Sequence, residues 1–130
     1  QQRFFPLFEV LWIFSFSPCR EVTVDFIIEV RTKAEKFHEF YQTLQALILM
    51  IRAEAGCRES RIYRDVEDGS VFFLEICWAN SESLENYIRS TSGSALLGAI
   101  DLLTNEVRVK IGNDASWDGI EILKRMRKGA

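Results

Sequence analysis

His38 is the only histidine in the chain, and Glu35 stands three residues before it. An E-x-x-H step on a helix is one half of a carboxylate-histidine di-iron pattern, but no second copy follows, so sites built from two or three imidazoles are excluded. No metal is expected, and His38 reads as a residue on a solvated helix edge. Cys19, Cys57 and Cys77 fit neither a C-x-x-C knuckle nor a small disulfide scaffold, so free thiols in a reducing compartment are the simpler expectation. Asp25, set among apolar residues, could act as a base if burial raised its pKa, as could Glu75. Each could equally face solvent or pair with Arg61 or Arg64. Ser90-Thr91-Ser92-Gly93-Ser94 could hold an anion on free amides, yet it lacks the lysine of a phosphate loop and reads as a flexible connector.

Composition bounds what these residues can serve. The chain has 130 residues, 48% hydrophobic and 27% charged, which suits one soluble globular domain. Sixteen basic residues against nineteen acidic ones give a net charge of −3, so no attraction to phosphate backbones is built in and no nucleic-acid partner is expected. The basic end Lys124, Arg125, Arg127 and Lys128 is what a helix C-terminus attracts through its dipole alone.

Residues 1–20 form an apolar arm unlike the domain that follows over 21–130. Its core, FFPLFEVLWIFSFSP, carries one charge, Glu9, and five of the ten phenylalanines. The uncharged stretch Val10 to Cys19 is shorter than the roughly 20 residues that span a bilayer, and Pro6 and Pro18 interrupt a long helix, so no membrane span is expected. A signal peptide is the alternative, weakened by the absence of a small-residue cleavage site before Arg20. The expectation is an arm packed on its own domain or on a neighbouring subunit.

Beyond the arm the pattern is regular. Val22, Val24, Phe26, Ile28 and Val30 alternate with Thr23, Asp25, Ile27 and Glu29, the period of a strand with one buried face. Thr32 and Glu35 have the spacing of a capping box before a helix carrying Phe37, Phe40, Tyr41, Leu44, Leu47, Ile48 and Ile51 up to Gly56. Cys57 to Val66 and Val71 to Trp78 read as a hairpin around Asp68-Gly69. With those two as the loop, Cys77 stands opposite Ser60, beyond disulfide reach of Cys57 unless a bulge shifts the register. Asn80 or Ser81 caps a short helix with Leu84, Tyr87 and Ile88, and a second helix runs through Leu96, Leu97, Ile100 and Leu103. Val107, Val109 and Ile111 mark strand four, and Trp117, Ile120, Leu123 and Met126 a last helix. The order predicts an α+β class: a ferredoxin-like β-α-β-β-α-β domain with a C-terminal helix, whose second sheet face needs its own cover.

Glu54-Ala55-Gly56-Cys57, Ile62-Tyr63-Arg64-Asp65, and Glu75-x-x-Trp78 running into Ser81-Glu82-Ser83-Leu84 together resemble the antibiotic biosynthesis monooxygenase family. The resemblance covers Val22 to Leu103 and, more loosely, Glu106 to Arg127. It implies a dimeric α+β barrel: a homodimer whose sheets meet, with a pocket between sheet and helices for a small aromatic or quinol-type substrate and no cofactor; the reducing compartment read from the cysteines is the cytoplasm. Trp78 is then a pocket wall whose indole N–H could bind an oxygen. Tyr87 stands where many members have a histidine, and the neighbourhood of Ser92 where they have another. Haem-type chemistry is disfavoured, because Ser94 to Gly98 offers no histidine ligand.

Oxygenation without metal or flavin needs a substrate that itself gives an electron to dioxygen, usually after losing a phenolic proton, and a protein that supplies a closed pocket and a base or hydrogen-bond network. Trp78, Tyr87 and Asp25 are the candidates for that chemistry. Phe40, Tyr41, Leu44, Leu96 and Ile100 are the candidate lining. The competing expectation is a dimeric small-molecule-binding or structural protein that kept the barrel and lost the histidines.

Overall fold

The chain is described here from a computed structural model, over residues 23–112 and 116–129. The expectations for arm 1–20 and for Cys19 lie outside these residues. Four strands, β1 (Val24–Thr32), β2 (Cys57–Arg64), β3 (Val71–Trp78) and β4 (Thr104–Ile111), form one antiparallel sheet in the order β2-β3-β1-β4. Helices α1 (Phe37–Arg52), α2 (Ser81–Arg89), α3 (Thr91–Leu103) and α4 (Glu121–Arg127) complete the ferredoxin-like plan.

Alternation sorts the sheet into two faces. Phe26, Ile28 and Val30 of β1 point with Phe72, Leu74, Ile76 and Trp78 of β3 and Val109 of β4 into the core. Phe40, Leu44, Leu47, Ile48 and Ile51 of α1 and Leu96, Ile100 and Leu103 of α3 close over them. The other face carries Asp25, Ile27, Glu29 and Arg31, with Phe73, Glu75 and Cys77 beside them and Arg108 and Lys110 at the β4 side. There Arg108 bonds Glu29 (2.7 Å) and stacks over Trp117 (4.3 Å).

Several local expectations are corrected. The Thr32–Glu35 capping box does not form: Thr32 ends β1, and the α1 cap is Lys36, with no side-chain bond. The hairpin is longer than a two-residue loop, because Asp65 Oδ1 accepts from the amides of Glu67 and Asp68 and the strands close only at Asp65–Val71. This shifts the register by one, and a bulge follows between Cys57 and Glu59, so Cys77 faces Glu59 and Cys57 faces Trp78. Asp68 also pairs with Arg31, and its bonds from Ser70 and Arg31 hold its carboxyl down at about 2. Ser90 caps α3, its hydroxyl accepting from Gly93 N (3.0 Å) and its carbonyl from Ser94 N (3.0 Å), so the serine-rich stretch is helix rather than connector. A Cβ on Gly93 would stand 2.2 Å from the Tyr87 carbonyl, and this bare approach lets α2 and α3 meet at a one-residue joint. Trp117 precedes the last helix, and its neighbour Asp118 bridges Val109 on the free edge of β4 (2.7 and 2.8 Å).

The free-thiol expectation holds for Cys57 alone. Cys77 is disulfide-bonded. The register argument excluded only a bond between those two, which their places on opposite faces still forbid.

Candidate active site

Trp78 closes β3 and Tyr87 lies on the buried side of α2, which Asn80 starts by accepting from Ser83 N (2.9 Å). The two rings stack at 5.2 Å with 27° between planes. They are 0% and 1% exposed, yet neither the Trp78 indole N–H nor the Tyr87 hydroxyl has a hydrogen-bond partner among the described residues. Ser92, 5% exposed in the first turn of α3, brings its hydroxyl beside that of Tyr87 without completing a bond of normal geometry. A buried polar atom without a partner costs about 1–3 kcal/mol, so three in one neighbourhood are a feature to be explained.

Burial lifts the Tyr87 phenol far above its ordinary range, with Glu54 and Cys57 adding to the effect. No cation lowers it, so at neutral pH it is a neutral donor rather than a phenolate relay. Burial likewise pushes the Cys57 thiol up. Both lie where Gly56, at φ +87°, turns the chain out of α1.

Four lining candidates meet in one slot: Phe40, Leu44, Leu96 and Ile100 face Ile28, Val30, Phe72 and Leu74 across about 10 Å³ of open space. That is room for about one water. Every wall residue is apolar, so the slot is dry and carries no acid or base of its own. Tyr41 is not on this wall. One helical step of about 100° from Phe40 turns it outward, 42% exposed and 6.0 Å from the ring of Phe37. Trp78 stands four strand residues beyond Leu74, about 13 Å along β3. Leu96 joins the two regions, since it lines the slot and stands one turn from Ser92 on α3.

Asp25 is on the other side of the sheet from Trp78 and Tyr87. There its carboxyl meets that of Glu75, and Tyr63 donates to Glu75 Oε1 (3.1 Å). Burial raises the pKa of both carboxyls, and each also feels the other. The Tyr63 phenol is pushed up to about 12, by burial first and Glu75 next. The elevated base foreseen at Asp25 or Glu75 is therefore one of two carboxyls that meet, both with raised pKa, on the face away from the helices. His38 is exposed on α1, edge-on to Phe37 at 5.3 Å. Among the described residues no group of three or more His, Cys, Asp or Glu side chains is placed to hold a metal ion.

Sequence reasoning saw Trp78 and Tyr87 and passed over Ser92 as a site residue. Its signal was the five-residue step from Tyr87 across the joint that Gly93 permits. The carboxyl pair was visible only as two separate acids, because pairing needed the β1–β3 register.

The same stretch of chain that builds β1 through the start of α3 decides the lineage, for residues 24–94 match the sequence model of the antibiotic biosynthesis monooxygenase family, more than half of the 130. The chain belongs to the antibiotic biosynthesis monooxygenase family. Solved structures agree on the fold. A Methanosarcina mazei Go1 protein is 22% identical over 68% of this chain and 89% of its own (TM-score 0.65). A Pseudomonas aeruginosa protein is 19% identical over 74% and 97% (TM-score 0.66). A structure described as an antibiotic biosynthesis monooxygenase is 16% identical over 72% and 99% (TM-score 0.65). Comparison with curated proteins gives no match. Tyr87 and Ser92 both lie within the stretch that matches this antibiotic biosynthesis monooxygenase model.

Proposed function

We propose that the chain is a cofactor-independent monooxygenase acting on a small aromatic or quinol-type substrate bound between sheet and helices. The observation that carries this reading is the group of three buried, unpartnered polar atoms at Trp78, Tyr87 and Ser92, in the family region where polar groups are expected to meet substrate. A ligand oxygen placed there would accept from the indole N–H and bond the two hydroxyls, recovering what burial costs them. The ring would take the apolar slot by displacing Leu96. With a neutral Tyr87, the protein's part is to bind, exclude water and stabilise an oxyanion on a substrate that is itself the electron donor to dioxygen.

We place the chain as a homodimer, as its family relationship suggests, and in the cytoplasm. Among the described residues no helix is long and apolar enough to cross a membrane. Oxygen uptake by metal-stripped protein with hydroquinones and naphthols, corrected for autoxidation, tests the reading, and a rate lost in Tyr87→Phe supports it.

A second reading, a non-catalytic small-molecule-binding or structural dimer, is favoured by one observation: the slot has room for about one water and no titratable wall. Binding of the same aromatics without oxygen uptake would select it.

A further inference from the structure

β2 is an edge strand of the sheet, and its ladder is interrupted where the chain leaves α1, by the bulge between Cys57 and Glu59. Bulges loosen an edge locally and are common beside binding sites. At this one lies a cavity of about 320 Å³, lined by Arg52, Cys57, Arg58, Glu59 and Ser60.

The cavity wall is cationic. Arg52, in the last turn of α1, donates from Nε to Ser60 Oγ (3.2 Å) and from Nη2 to the Ser60 carbonyl (3.1 Å). Those bonds pin its guanidinium on β2 and use two of its five N–H groups, so others are left for a ligand. Arg58 is exposed on the same wall. Among the described residues neither arginine has a carboxylate within ion-pair distance. Glu59 is held by Arg61 at 2.6 Å, and Glu54 is the other acid near the Cys57 thiol. Two unpaired guanidinium groups suit a carboxylate, which each can take through paired N–H bonds.

Cys57 links this cavity to the candidate active site. It faces Trp78 across the ladder, and its half-buried side chain packs against the core cluster that holds Trp78 and Tyr87. It also lines the cavity. Cys57 therefore stands between the two arginines and the buried, unpartnered polar atoms of Trp78, Tyr87 and Ser92.

We infer that this cavity is the mouth of the candidate active site, and that Arg52 and Arg58 select there an aromatic substrate carrying a carboxylate beside its hydroxyl. The inference rests on the reading of Trp78, Tyr87 and Ser92 as the substrate's polar contact. The ring passes Cys57 and brings its hydroxyl to those three atoms, with its far end toward Leu96. The carboxylate next to the hydroxyl is then at the outer end, where it keeps water and the two guanidinium groups instead of being desolvated in the core. A bound substrate covers Cys57.

The test uses the full chain with two probes that differ in one group: naphthol, and a hydroxynaphthoate whose carboxylate adjoins the hydroxyl. Calorimetry is expected to show hydroxynaphthoate binding at least tenfold more tightly than naphthol. Saturating hydroxynaphthoate is expected to slow iodoacetamide alkylation of Cys57, followed by peptide mapping, at least fivefold. Arg58→Gln, an exposed position whose change leaves the fold intact, and Arg52→Gln are each expected to cut the preference for hydroxynaphthoate at least threefold and to leave naphthol affinity as in the parent. Equal affinity for the two probes, unchanged Cys57 alkylation, or a full preference retained in Arg58→Gln overturns the inference. Oxygen uptake is read separately. Tight, Cys57-protecting hydroxynaphthoate that consumes no oxygen removes the monooxygenase reading and leaves the mouth standing, whereas oxygen uptake with naphthol and no preference for the carboxylate overturns the mouth and leaves the monooxygenase.

Discussion

Trp78 and Tyr87 stack at 5.2 Å in the buried core while each holds a polar atom that bonds to nothing described. A core selected for stability alone would carry phenylalanine at position 87, since that ring would pack as well and no hydroxyl would be stranded. Substitutions at the pair can therefore separate what the rings contribute to stability from what the polar atoms contribute to the proposed binding.

Tyr87→Phe keeps the ring and removes the stranded hydroxyl. Urea unfolding is expected to show unchanged stability or a gain of up to about 1 kcal/mol, because removing a buried unsatisfied group costs nothing in the folded state. Trp78→Ala empties the core and is expected to lose about 3–5 kcal/mol. A loss above about 2 kcal/mol in Tyr87→Phe would mean that the hydroxyl has a structural partner.

Leu96→Ala opens the slot toward Ser92. Its expected cost is about 2–5 kcal/mol by the usual large-to-small substitution. Adding naphthol should then raise the melting temperature of Leu96→Ala more than that of the parent, since ligand bound only by the folded state stabilises it. Equal shifts in the two proteins would place the bound ring elsewhere.

The carboxyl pair sets a pH dependence of definite sign. Asp25 and Glu75 have raised folded values, so the folded state holds protons that the unfolded chain releases, and stability falls as pH rises from about 4 through the raised values. Glu75→Gln keeps an acceptor for Tyr63 and removes one charge. It is expected to be more stable than the parent at pH 8 by about 0.5 kcal/mol, a figure discounted for the water both groups retain, with the gap closing toward pH 4. Thermal unfolding of both proteins across that range checks it.

Gly56 turns α1 into β2 at φ +87°, and a Cβ there would stand 2.1 Å from Ser83 Oγ. Gly56→Ala is expected to lose about 2 kcal/mol or more from the clash and the left-handed backbone together. Adding Ser83→Gly should return the part due to the clash and leave the backbone part, as chemical denaturation of the three variants would show.

Periodicity carried much of the architecture. The alternation from Val24 to Val30 and the helical spacing from Phe40 to Ile51 are long patterns with one buried face each, and such patterns survive tertiary context. What misled was local chemistry with competing partners. Asp65 took the turn amides and lengthened a hairpin that Asp68-Gly69 alone would make shorter. Thr32 went to the sheet instead of capping α1. The slot was legible through Phe40, Leu44, Leu96 and Ile100, because helix spacing fixes which side chains share a face. The Tyr87–Ser92 meeting and the Asp25–Glu75 pair were not, since each depends on a joint or a register no single segment encodes.

The most direct measurement is dioxygen consumption by metal-stripped protein supplied with hydroquinones and naphthols, run beside Tyr87→Phe, whose fold is expected to be intact. The account predicts a saturable rate in the parent and at least a tenfold lower rate in the variant. A parent rate no higher than autoxidation, or a variant as active as the parent, would contradict it.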